Sequence, residues 1–135
     1  MRPIDKIIVH CTDTPEGRHV TTADIEAWHK EKDYTTIGYH YVVYLDGSIH
    51  IGRPVAKKGA HCKGHNAKSI GICYVGGKDA KGLYADTRTD AQKEALLNLI
   101  KKLLAKYPNA KVYGHRDFAA KACPCFDAKK EYENV

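Results

Sequence analysis

The sequence predicts an α/β or mixed α+β fold, in which helices pack on one β-sheet. Short runs of apolar, β-branched and aromatic residues recur along the chain, which is typical of strands. Segments with helical periodicity alternate with these runs, and such interleaving favours one sheet covered by helices. A length of 135 residues suits a single core. We therefore expect residues 1–135 to form one domain.

The first strand and the first helix lie close to the amino terminus. Residues 6–10, which read Lys-Ile-Ile-Val-His, predict a buried strand. A loop marked by Pro15 and Gly17 follows. Thr21 is the expected N-cap of a helix that ends near Lys32.

A hairpin and a third buried strand are predicted in the middle of the chain. Residues 39–45 and 48–52 are two β-rich runs joined by Asp46-Gly47, a dipeptide that strongly favours a hairpin turn. A polar loop over residues 53–68 then leads to a strand at residues 69–75.

The last third of the chain predicts a long helix and a short strand. Thr89 and Gln92 match a capping box, and Pro108 closes the helix. Five apolar side chains fall on one helical face, namely Leu96, Leu99, Ile100, Leu103 and Leu104. Residues 111–113 predict a strand, and residues 114–135 are expected to be mostly irregular.

Composition narrows the classes of function. The formal net charge of +6 attracts polyanions, but the lysines form no continuous block and only two Phe are present. We therefore expect no nucleic-acid partner. The apolar runs are too short for membrane insertion. No apolar leader follows Met1, so we expect synthesis in the cytoplasm without a signal peptide.

The cysteines and histidines favour a metal site. Five cysteines are an odd number, which does not suit a disulfide framework, and intracellular thiols stay reduced. Eight histidines accompany them, and imidazoles and thiolates are the ligands that zinc prefers.

His10, His115 and Cys123 are one possible ligand set. His10 ends the first predicted strand and His115 follows the last one, so the two imidazoles would meet if those strands are neighbours. Two imidazoles and one thiolate leave a fourth tetrahedral position open, as in catalytic zinc sites. The many other triples of His and Cys leave alternative ligand sets open on spacing alone.

A series of short motifs occurs in an order that resembles a known family. The motifs are Ile7-Ile-Val-His10-Cys-Thr, Ile37-Gly-Tyr39-His-Tyr-Val-Val, Leu45-Asp-Gly, Gly52-Arg-Pro, Gly59-Ala-His61, Asn66, Ser69-Ile-Gly-Ile-Cys, Gly114-His115-Arg-Asp and Lys121-Ala-Cys123-Pro. Together they resemble the zinc-dependent N-acetylmuramoyl-L-alanine amidases of bacteriophage lysozyme type, which are relatives of the peptidoglycan recognition proteins. The resemblance spans about residues 7–127.

The resemblance implies a fold and a set of site residues. It implies a central mixed β-sheet flanked by helices, with one Zn²⁺ per chain in a surface cleft, held by His10, His115 and Cys123. It further implies Tyr39 and Lys121 as catalytic residues, of which either could transfer the proton to the leaving amine. We also expect His61, on the polar loop, to line the cleft and bind substrate.

Other residues near the site have plainer expected roles. His29 is expected to pack beside Trp28, and His40 to point away from the face that carries Tyr39. Asp117 or Asp127 could orient a ligand histidine. Cys11 and Cys125 are expected to be reduced, partly buried thiols, although either could replace Cys123 as a ligand or pair with another cysteine.

The function implied by the resemblance is peptidoglycan hydrolysis. Zinc-activated water would cleave the amide between N-acetylmuramic acid and the L-alanine of the stem peptide, as in an endolysin encoded by a phage or prophage. The chain would act as a monomer on the cell wall after release or export. The alternatives are a module that binds peptidoglycan without cleaving it, or one that regulates a partner protein.

Overall fold

A five-stranded mixed sheet forms the centre of the molecule. The computed structural model describes residues 2–135. Across the sheet, the strands are ordered β4 (Ile49–Ile51), β3 (Tyr41–Val43), β5 (Ser69–Tyr74), β1 (Lys6–Cys11) and β7 (Lys111–Gly114). All neighbouring strands are parallel except the β3–β4 pair, which is antiparallel. The prediction of a mixed sheet with helices is confirmed.

Capping boxes begin both long helices. In α1 (Thr22–Glu31) the N-cap Thr21 exchanges hydrogen bonds with Asp24, and in α2 (Asp90–Lys106) Thr89 does so with Gln92. Each exchange satisfies two backbone amides that a helix start would otherwise leave without partners. Because this signal is local, the sequence predicts both helix starts correctly.

The two faces of the sheet bury separate apolar clusters. On one face, Ile7 and Val9 of β1 pack with the apolar stripe of α2, which includes Leu96 and Ile100. On the other face, Val42 packs in a second cluster with Ile25 of α1 and with Val20, Ile37 and Val75. Because side chains alternate along a strand, His10 points away from α2 and towards the α1 side. His10 therefore lies on the face of the sheet that carries the smaller apolar cluster.

The hairpin is shorter than the sequence predicts. Its turn lies at Asp46-Gly47 as predicted, and Gly47 has a φ of +84°, which glycine adopts without strain. The residues that flank it still pair, since the amides of His40 and Gly52 donate to the carbonyls of Gly71 and His40. Their irregular pairing ends β3 and β4 early, where the chain turns towards the polar loop.

Several small features were missed by the sequence prediction, among them two 3₁₀-helical turns at Asn66–Lys68 and His115–Asp117. A two-stranded sheet joins β2 (Thr14–Pro15) to β6 (Gly77–Lys78), and a short helix α3 (Ala128–Glu131) interrupts the segment expected to be irregular. Elements of two to four residues have too little periodicity to be recognised. Among residues 2–135, none of the helices has the length and apolarity needed to span a lipid bilayer.

We expect Ile100→Ala to lower the free energy of unfolding by about 2–5 kcal/mol, because it opens a cavity between α2 and the sheet. Chemical denaturation measures this change. Ile51→Ala is the matched control, since Ile51 is 72% exposed and its truncation should cost less than about 0.5 kcal/mol. Equal losses in the two variants would contradict the packing described here.

Candidate metal centre and cleft

Three potential metal ligands meet at the carboxyl ends of β1 and β7. The parallel register places Val9 beside Gly114, so the next residues, His10 and His115, are neighbours. Their Nδ1 atoms are 3.2 Å apart. One ligand atom from each of His10, His115 and Cys123 lies within 4.8 Å of the others. The predicted ligand set required the first and last strands of the sheet to be neighbours, and β1 and β7 are neighbours. The three side chains could therefore hold a metal ion.

Backbone contacts position the cysteine of this group. The Cys11 amide donates to Cys123 Sγ at 3.2 Å, and the Arg116 amide donates to the Cys123 carbonyl at 2.8 Å. The first contact ties the sulfur to β1 and the second ties its backbone to the segment after β7. Cys123 is thereby fixed to β1, which carries His10, and to the segment after β7, which carries His115.

A cleft of about 660 Å³ opens beside His115 and Cys123. Its lining includes Trp28, His29, Tyr39, His115, Lys121 and Cys123. The size is within the range of small-molecule and peptide-binding clefts. The two residues expected to be catalytic, Tyr39 and Lys121, thus share one cleft with two of the expected ligands.

His61 lies elsewhere than the sequence prediction placed it. It is only 8% exposed, it is absent from the cleft lining, and its Nδ1 lies 2.8 Å from His10 Nε2. Its ring sits behind His10, on the side away from the cleft. The expectation that His61 lines the cleft is therefore wrong, whereas its expected contact with substrate stays a prediction.

Burial keeps the imidazoles of the centre neutral. Burial, followed by the charges of His61, His115 and Lys121, lowers the pKa of His10 well below its ordinary value. Burial and the Lys121 charge also lower the pKa of His115. Neutral imidazoles are the form that binds metals. Both imidazoles are therefore in the form that a metal ion requires.

Tyr39 remains protonated at neutral pH. Burial, and then the neighbouring thiols of Cys73 and Cys123, raise the pKa of the Tyr39 phenol well above its ordinary value. Its ring centroid lies 5.1 Å from that of His10. A neutral phenol can donate a hydrogen bond, and Tyr39 is part of the cleft wall.

The two aspartates considered as partners for the ligand histidines bind backbone amides instead. Asp117 accepts from the Gly114 amide at 2.8 Å, and Asp127 caps α3 by accepting from the Lys130 amide at 3.2 Å. Besides His115, the side chain within hydrogen-bonding distance of His10 is that of His61. Sequence reasoning missed that role, although Gly59 and Gly71, which flank the His61 ring, offered a signal of close approach.

His29 and His40 are both hydrogen-bonded to backbone. His29 packs near Tyr39 and Tyr34, and its Nδ1 accepts from the Gly38 amide at 2.8 Å. His40 is fully buried and bonds the Gly71 amide and the Lys57 carbonyl. His40 is outside the cleft lining, whereas His29 forms part of the cleft wall.

The remaining thiols form no disulfide within residues 2–135. Cys11 and Cys125 approach each other, with their Sγ atoms 4.0 Å apart, and the Cys125 thiol also donates to the Gly77 carbonyl. Neither belongs to the group of three ligand atoms. Their contacts connect β1 to the loop that carries Cys123.

The sequence as a whole matches a known protein family. Residues 1–126 match the family described as N-acetylmuramoyl-L-alanine amidase. The chain belongs to the N-acetylmuramoyl-L-alanine amidase family. This amidase is 43% identical over 129 residues to the endolysin of Escherichia phage T7, a match that covers 96% of this chain and 85% of the phage protein.

More distant relatives and solved structures agree with this assignment. A peptidoglycan-recognition protein of Drosophila melanogaster is 30% identical over 129 residues, covering 92% of this amidase and 70% of the fly protein. The structure of N-acetylmuramoyl-L-alanine amidase LysC from Clostridium intestinale URNW superposes with a TM-score of 0.82 at 28% identity, covering 96% of this chain and 82% of that one. The family resemblance and the fold predicted from the sequence are confirmed.

We expect the stability of this amidase to fall as the pH decreases from about 6.5 towards 4. Burial, and then the Lys32 and Arg53 charges, lower the pKa of His29 from 6.5 to about 4, so the unfolded chain binds more protons in this interval. The contribution of His29 to the free energy of unfolding is fully present above pH 6.5, the ordinary pKa that His29 has in the unfolded chain, and is lost as the pH falls towards 4. Protonation of His29 Nδ1 would also remove the acceptor for the Gly38 amide.

His29→Asn isolates the contribution of this histidine. The Asn side-chain oxygen can accept from the same amide but does not titrate, so the loss of stability between pH 6.5 and 4 should shrink by about 1–2 kcal/mol. Denaturant unfolding across this pH range, with a chelator present throughout, measures the difference. Identical pH profiles for the two proteins would show that His29 does not titrate as described.

Proposed function

We propose that this chain is a zinc hydrolase that cleaves the amide between N-acetylmuramic acid and L-alanine in peptidoglycan. The observation that carries the proposal is the meeting of His10, His115 and Cys123 beside a cleft, in a chain of the amidase family. The similarity to a phage endolysin and to the LysC amidase supports hydrolysis rather than binding alone.

The donor set suits one zinc ion per chain. In a tetrahedral zinc site with bonds of about 2.0–2.3 Å, ligand atoms lie about 3.3–3.6 Å apart. The 3.2 Å between the Nδ1 atoms of His10 and His115 is close to that spacing. Three protein ligands leave one position free. When bound, zinc lowers the pKa of a water molecule and polarises a carbonyl group.

Tyr39 and Lys121 supply the remaining polar groups of the proposed reaction. Water adds to the amide carbonyl carbon and the C–N bond breaks, which leaves a carboxylate and a free alanine amine. The Lys121 ammonium, on the cleft wall, would stabilise the negative charge that develops on the carbonyl oxygen. The protonated Tyr39 hydroxyl would orient the attacking water or the scissile amide by donating a hydrogen bond.

We further propose that the protein acts on the cell wall after release or export from the cytoplasm. The similarity to endolysins supports this location. The net charge of +6 would draw the protein to anionic wall polymers, and this attraction should weaken as the salt concentration rises.

We expect zinc-loaded protein to release new L-alanine amino groups from a muramoyl-peptide, and a chelator to abolish the release. Cys123→Ser should lose bound zinc and activity together, because a serine hydroxyl is a much weaker zinc ligand than a thiolate. Metal analysis after dialysis and an amine-release assay measure the two effects. Cys62→Ser, which removes a thiol outside the ligand group, is the control and should retain both properties.

If zinc-loaded protein binds the muramoyl-peptide but frees no amine, hydrolysis is refuted and the chain is a peptidoglycan-binding module. Zinc retention by Cys123→Ser would instead refute the proposed ligand set.

We expect Lys121→Ala to keep its zinc but to lose about 100–1,000-fold in kcat, the usual effect of removing one group that stabilises an oxyanion. Lys101→Ala is the matched control, because it deletes the same charge from the exposed face of α2. Steady-state kinetics and metal content measured on both variants check the prediction. A parallel fall in zinc content and rate would mean that Lys121 supports the metal site instead.

A further inference from the structure

A row of buried polar side chains extends from His10 away from the cleft. His10 Nε2 lies 2.8 Å from His61 Nδ1, and His61 Nε2 lies 3.2 Å from Ser69 Oγ. His10 and Ser69 are fully buried and His61 nearly so. The chain of contacts thus joins a proposed metal ligand to the first residue of β5.

The ring of His61 occupies a slot formed by two glycines. A Cβ atom at Gly71 would lie 2.6 Å from His61 Cγ, and one at Gly59 would lie 2.6 Å from His61 Cδ2. Both distances are far inside van der Waals contact. The slot therefore exists only because these positions carry no side chain.

The backbone next to His61 is also fixed. The amides of His61 and Cys62 both donate to Asn66 Oδ1, each at 2.9 Å. With its backbone anchored and its ring confined, His61 can present the same nitrogen to His10 at all times. This arrangement provides the rigid support that a precise metal site requires.

The positions of the nitrogens allow one arrangement of protons when a metal is bound. His10 Nδ1 faces His115 Nδ1, so it is the nitrogen available for the metal and must carry no proton. The His10 proton then lies on Nε2 and is donated to His61 Nδ1. A neutral His61 consequently carries its own proton on Nε2, where the Ser69 hydroxyl can accept it.

We propose that His61 is a positioning residue, which holds His10 in the tautomer and orientation that leave Nδ1 free to bind the metal. This inference rests on the proposed function, since it concerns the same metal centre. His61 takes the place of the carboxylate or carbonyl that commonly accepts the outer proton of a metal-bound histidine. It acts through His10 and has no contact with the cleft.

Two substitutions at position 61 separate the accepting nitrogen from the bulk of the ring. His61→Leu fills the slot without an acceptor, and we expect it to weaken zinc affinity by about 10–100-fold. In His61→Asn, the side-chain oxygen lies near the position of Nδ1, and we expect affinity within a few-fold of wild type. Competition with a chelator of known affinity measures zinc binding, and thermal unfolding with the metal removed confirms that each variant folds.

NMR of the wild-type protein tests the same inference without any substitution. In the zinc-loaded protein, ¹⁵N chemical shifts of the histidine rings should show the proton of His10 on Nε2 and that of His61 on Nε2. The opposite tautomer for either ring would overturn the inference, even if a substituted protein failed to fold.

Zinc affinity in folded His61→Leu equal to that of wild type would also overturn the inference. A rise in KM for muramoyl-peptide at unchanged zinc affinity would instead return His61 to a substrate-binding role. These measurements are independent of hydrolysis. If wild-type protein bound zinc in a His61-dependent way but released no alanine amine, the proposed function would fail and the positioning role would stand.

Discussion

The pairing of β1 with β7 is the constraint on which the site depends. These strands come from opposite ends of the chain, and their parallel register brings His10 and His115 side by side although 105 positions separate them. The long loop that this pairing closes has an entropic cost. Burial of β1 between β5 and β7, and between α2 and the α1 side, offsets that cost. The apolar core and the polar centre are therefore consequences of one strand arrangement.

The electrostatic character of the centre follows from its position in the sheet. A side chain at the end of a central strand is removed from water, and an imidazole there resists protonation. The nearby Lys121 charge acts in the same direction on both His10 and His115. Burial raises the pKa of Tyr39 instead of lowering it, because the neutral form of a phenol is the protonated one. Two neutral imidazoles and a neutral phenol thus result from the same exclusion of solvent.

Features encoded by neighbouring residues were predictable, whereas features created by distant contacts were not. The N-caps at Thr21 and Thr89 and the turn at Asp46-Gly47 depend on a few adjacent residues, and the structure contains all three. The adjacency of the first and last strands was open on spacing alone, and only the family motifs pointed to it.

The position of His61 shows why part of the site was beyond sequence reasoning. Its loop was recognised, but the direction of its ring depends on Gly71 of β5 and on the Asn66 side chain, which anchors its backbone. The aspartates after β7 show the same limit, because the helical turns at Asp117 and Asp127 use their carboxylates locally. Contacts of this kind become visible only once separate elements are assembled.

The wide spacing of the three proposed ligands along the chain has a consequence for biosynthesis. His10 leaves the ribosome early, whereas His115 and Cys123 emerge more than 100 positions later. Since domains fold as units during translation, β1 must wait for β7 before the centre can form. A nascent or prematurely terminated polypeptide that lacks residue 123 has an incomplete ligand set. The assembled centre can therefore exist in the producing cell only after translation has passed this position.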